Sequence, residues 1–121
     1  MTQDLLLTSF LHMEVQLDAL KAVFGKNLLA AKAEHPAIVT AHDVAAAIKK
    51  YLSGDISKQV LLDWVNTLWF TDLYTYDDTE SDCIASVMSV LETLDEDGIF
   101  LSPSEWQEML SCLATNAEYM N

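Results

Sequence analysis

The sequence predicts an all-α fold: a single compact bundle of five or six helices spanning residues 1–121. Three observations predict it. Apolar residues recur at three- and four-residue steps in segment after segment, the spacing that gathers them on one helix face. Helix-start signatures precede several of these segments: Thr40 with Asp43, Ser57, and Ser102-Pro103-Ser104-Glu105. The three glycines, Gly25, Gly54 and Gly98, each fall at an expected helix end. A chain of this length buries roughly 65% of its unfolded surface, so neither a metal nor a disulfide is needed to hold it together. A hydrophobic content of 51% argues against disorder despite the high charge.

Leu6, Phe10, Met13, Leu17, Leu20 and Phe24 form one stripe along a long first helix that Gly25 closes. Residues 27–38 are Ala-rich and interrupted by Pro36, which predicts a short helix or turn followed by a connection. Thr40 opens the next helix, with Val44, Ala47, Ile48, Tyr51 and Leu52 facing inward and Gly54 just past its end. Ser57 caps a third strong helix. Its wide apolar face (Val60, Leu61, Trp64, Val65, Leu68, Trp69) marks it as the most buried element. Residues 71–79 read as a polar, aromatic loop. Ile84, Val87, Met88, Leu91 and Leu94 mark a fourth helix. The last helix has Ser102 as N-cap, Pro103 in its first turn and Glu105 reaching back, with Trp106, Met109, Leu110 and Leu113 inward. No strand periodicity stands out, apart from a short extended piece at Ile99–Leu101.

Charge is divided unequally. All six lysines (Lys21, Lys26, Lys32, Lys49, Lys50, Lys58) lie before residue 60, beside six acids, and Arg is absent. Residues 61–121 hold thirteen Asp and Glu and no Lys, Arg or His, so the formal charge of −13 sits on the second half. Such asymmetry attracts cations or a basic partner at long range.

Two acidic clusters differ in kind. Asp77, Asp78, Glu80 and Asp82 precede and open the fourth helix, where negative charge complements the helix dipole. Glu92, Asp95, Glu96 and Asp97 lie at the end of that helix, where the dipole is already negative and cations are expected. A break of a local rule points to function more often than an average position does. Tyr74 and Tyr76 run into the first cluster, and aromatics flanked by carboxylates suit an interface with a basic protein. The expected partner-binding set is therefore Asp72, Tyr74, Tyr76, Asp77, Asp78, Glu80, Asp82, Glu92, Asp95, Glu96 and Asp97.

Several chemistries are excluded. Asp95–Glu105 resembles a calcium loop, but with Gly98 as the turn glycine the twelfth position is Ser104 and Glu105 falls one place late. His12, His35 and His42 share no zinc-ligand spacing with Cys83 and Cys112. There is no phosphate-cradling glycine loop and no nucleophile elbow. No catalytic residue, metal or cofactor is expected. A chain of this charge is repelled by nucleic acid and by anionic lipid, and no apolar run is long enough to span a membrane. No basic stretch precedes Leu5–Leu7, so the start does not read as a secretory signal. With two cysteines expected to be reduced, the expected location is the cytoplasm.

The segment Tyr51-Leu52-Ser53-Gly54-Asp55-Ile56-Ser57, followed by Trp64 in a helix, resembles small bacterial immunity proteins of the colicin-D-immunity-like kind. The resemblance covers about fourteen residues and carries over no binding residue. It implies a compact, acidic, helical protein that neutralises a cognate toxin. The expectation is thus a non-enzymatic, immunity-type inhibitor that covers a basic surface, such as the nucleic-acid groove of a nuclease. The alternative is a non-catalytic structural or adaptor protein, homodimeric through the first helix. Like charge in the second half disfavours pairing there, so a dimer would use residues 1–50.

Overall fold

The computed structural model describes residues 2–96 and 98–120. Its elements are α1 (Gln3–Leu11), α2 (Leu17–Phe24), β1 (Ala37–Val39), α3 (Ala41–Leu52), α4 (Lys58–Phe70), β2 (Tyr74–Tyr76), α5 (Ser81–Leu91) and α6 (Pro103–Thr115). Short 3-10 turns lie at Leu28–Ala30 and Glu92–Asp95. The fold is predominantly helical, and a small parallel sheet is added to it.

The capping signatures act as read. Thr40 and Asp43 form a reciprocal capping box on α3, and Ser102 and Glu105 form another on α6. The Ser57 hydroxyl accepts from the Val60 N–H to start α4. Buried residues from every helix meet in one core: Leu7, Leu20, Ile48, Trp64, Ile84, Met88 and Met109 are each almost fully enclosed.

The long first helix is a correction. It is two helices, because α1 closes at Leu11 in a reversing turn. The Glu14 N–H donates to Ser9 O and the Met13 N–H to Phe10 O, with Met13 at φ 61°. This is the Schellman arrangement, with a methionine where glycine is usual. The left-handed conformation costs a non-glycine residue about 1–2 kcal/mol, so other contacts must hold the turn. Trp64 Nε1–H donates to Leu11 O and Lys50 Nζ to His12 O, so α4 and α3 both satisfy the free carbonyls of α1.

The sheet is a second correction. Strand β1 pairs parallel with β2 in the register Ala37↔Tyr74, Ile38↔Thr75, Val39↔Tyr76. Both strands fall in segments expected to be connections, whereas Ile99–Leu101 is not a strand. At three residues each, they are too short to show alternation, although all their residues but Ala37 are β-branched or aromatic. Helices α3 and α4 make the crossover between the strands. No helix among the described residues is long and apolar enough to cross a membrane.

Candidate functional site

The first acidic cluster is built into the fold. The Asp77 carboxylate accepts from the Thr79 hydroxyl at 2.6 Å and the Thr79 N–H at 3.0 Å. Those bonds, the hydroxyl's first, hold its pKa below the ordinary carboxylate value. Glu80 does not cap its own helix. Its carboxylate instead accepts from the Ala41 N–H, a free donor in the first turn of α3. The positive ends of α3 and α5 therefore meet at these carboxylates. Asn116, at the end of α6, closes the same corner by donating to Thr79 O. Asp78 and Asp82 are exposed, with Asp82 in the first turn of α5.

The two tyrosines of the expected site differ: Tyr74 is a correction and Tyr76 is not. Tyr74 is an interior residue: its ring is buried and its hydroxyl donates to Leu7 O at 2.7 Å. Burial raises its pKa. It offers a partner no surface, because the inward face of β2 carries it into the core. Tyr76 is half-buried against Trp69, with ring centroids 5.8 Å apart, and donates to Leu68 O. Burial pushes its hydroxyl up to about 12. Tyr76 thus ties β2 to α4, with only part of its surface exposed.

Asp72 is exposed and takes Lys32 at 3.1 Å. It is the only carboxylate of residues 61–121, among the described residues, with a lysine or histidine within ion-pair distance. An exposed pair of this kind contributes about 0–1 kcal/mol.

The second cluster follows α5 directly. The chain continues from Leu91 into the 3-10 turn, and the Glu96 N–H donates to Thr93 O. Asp95 and Glu96 are exposed. Glu92 is half-buried, with its Oε2 shut off from solvent and lacking a hydrogen-bond partner among the described residues. Asp97 lies outside the described residues. The cluster stands about 16 Å from the first along α5, given about 1.5 Å of rise per residue. Between the two, α5 shows Ala85, Ser86, Ser89 and Val90, none charged. The two clusters are therefore separate patches, further apart than the screening length of about 8 Å.

Glu92, Asp95 and Glu96 form one wall of an open groove of about 790 Å³. The opposite wall comes from α2 and the turn after it: Leu17, Lys21, Lys26 and Leu29. Asp63 and Phe70 of α4 also line it. The sequence shows no cation near Glu92–Asp97, yet in the fold Lys21 and Lys26 line the same groove, beyond ion-pair distance of Glu92, Asp95 and Glu96. Leu29 and Phe70 are 67% and 54% exposed, large for apolar side chains flanking one depression. The groove was missed because its walls lie more than forty residues apart in the chain. The available signal was Phe70, which stands just past the inward face of α4.

Neither cysteine is in a disulfide. The Cys83 thiol donates to Cys112 O at 3.4 Å, and burial raises its pKa. Among the described residues, no three metal-ligating side chains converge. No protein family, curated protein or solved structure matches this chain.

Proposed function

We propose that this chain is a cytoplasmic, immunity-type inhibitor that acts without catalysis by covering a basic surface of a partner protein, such as a nuclease toxin. One observation carries this reading. Asp95 and Glu96 stand exposed at the negative end of α5, with no cation within ion-pair distance among the described residues. Among the described residues no hydrogen bond reaches either carboxylate, whereas Asp77 and Glu80 are used internally. A basic partner supplies the missing counter-charge and is steered to it over long range.

The test is kinetic. The product of the neighbouring reading frame is co-expressed with the chain, and association rates are measured at low and physiological salt. Asp95→Lys with Glu96→Lys should slow association by about tenfold or more at low salt. The control, Glu14→Lys with Glu34→Lys in the neutral half, should leave the rate near wild type. Equal, salt-independent rates for all three proteins would sink the proposal.

A second reading has its own support. Leu5, Val23, Leu29 and Ile38, all in residues 1–50, are each more than half exposed. A structural or adaptor protein that dimerises through that half would cover them. Sedimentation of the purified chain distinguishes the two readings.

A further inference from the structure

The groove beside the second cluster does not end at Asp63. A second depression, of about 590 Å³, lies along the first half of α4 and is lined by Val15, Asp18, Asp55 and Val60. Leu17, Lys21 and Asp63 line both depressions, so the two are direct neighbours. Together they form a trough that follows α4 from Ser57 to Phe70, about 20 Å at 1.5 Å per residue. Its floor carries apolar side chains open to solvent, with Val60 at 41% and Phe70 at 54% exposure. Among the described residues, six carboxylates line it (Asp18, Asp55, Asp63, Glu92, Asp95, Glu96), against two lysines, Lys21 and Lys26.

We infer that this trough is the docking site for a basic amphipathic helix of the partner, a step that rests on the inhibitory reading above. Length and chemistry select that occupant. The walls are helices and turns with no free sheet edge, so an extended segment finds no ladder to join, whereas a helix satisfies its own backbone. Val60 and Phe70 are ten residues apart on α4, which suits a partner's apolar residues at i, i+4, i+7 and i+11. Lysines or arginines flanking that stripe meet the carboxylates of the trough. A second copy of this chain is disfavoured, because each copy carries −13 and each trough is itself anionic.

The experiment uses the full chain and three synthetic peptides of about 18 residues. The first is made of Leu, Lys and Ala with leucines at the stated spacing. The second is its scramble of identical composition. The third is poly-lysine of equal charge. Calorimetric titration should show the amphipathic peptide binding about tenfold or more tightly than either control. Phe70→Ala should weaken it by about tenfold, and Phe70→Leu should restore most of the loss. Phe100→Ala, at a more exposed phenylalanine outside the trough, should change nothing.

Equal binding of the scramble would overturn the docking site while leaving the charge-based inhibitory reading intact. So would a Phe70→Ala protein that binds as wild type does. A chain that sediments alone as a dimer, and becomes monomeric on Phe70→Ala, would assign the trough to a second copy and overturn the proposal. The inhibitory reading itself fails only in the separate test, when reversal of Asp95 and Glu96 leaves the association rate unchanged at both salt concentrations.

Discussion

The two acidic clusters at the ends of α5 have similar composition and opposite positions in the energetics of the chain. At the N-terminal end, Asp77 and Glu80 satisfy backbone donors of their own loop and of α3, and the dipoles of two helices favour them. At the C-terminal end, the carboxylates of Asp95 and Glu96 accept no hydrogen bond among the described residues and oppose the dipole. Acidic composition alone therefore does not mark a binding surface. What distinguishes the clusters is whether the fold already uses the charge.

A core substitution sets the scale for breaking this comparison. Trp64 is 1% exposed and its indole N–H donates to Leu11 O, so it both fills the core and holds the end of α1. Trp64→Ala should cost about 3–5 kcal/mol in urea denaturation. A loss under about 1 kcal/mol would contradict the packing that positions both clusters.

The charge reversal used to test association also has a stability readout. Asp95→Lys with Glu96→Lys places cations at a helix C-terminus, so stability should hold or rise by about 0.3–1 kcal/mol. A loss larger than that range would show that the second cluster has a structural role after all.

Residue-level signals explain what the sequence did and did not reveal. Three helices close with the same reversing turn. In α3 the left-handed residue is Gly54, in α6 it is Asn116 and in α1 it is Met13. The glycine was legible, because only glycine takes that conformation freely. Asparagine tolerates it and gives a weaker signal. Methionine gives none, and the apolar stripe runs unbroken from Leu6 to Phe24 across the turn. The capping boxes were legible because both partners lie within four residues. The β1–β2 pair, the Glu80–Ala41 bond and the trough were not, because each joins residues more than thirty positions apart. For the candidate site, the exposed Asp95 and Glu96 were legible as a violated rule. The interior position of Tyr74 was not, because strand β2 turns it inward.

The first cluster makes a prediction of smaller size. Glu80→Ala removes the acceptor for the Ala41 N–H and should destabilise the chain by about 1 kcal/mol, as loss of a helix cap does. Hydrogen exchange at Ala41 should accelerate, and association with a basic partner should keep its wild-type rate. An unchanged exchange rate would mean that water replaces Glu80 at no cost, and the contrast between the clusters would weaken.

The smallest effect concerns pH. Asp77 has a lowered pKa in the folded state because the Thr79 hydroxyl and N–H bind its charged form. A carboxylate with a depressed folded pKa binds fewer protons in the folded than in the unfolded state. Its stabilising contribution is therefore fully present above the unfolded value, near 4, and is lost as pH falls through the lower folded value. Asp77→Asn abolishes this linkage, so the acid limb of the stability curve should be shallower below about pH 4 and unchanged near neutrality apart from a constant offset. Urea midpoints of wild type and Asp77→Asn measured from pH 3 to pH 7 would decide it: an acid limb as steep in the variant as in wild type would mean that the fold does not use the charge of Asp77.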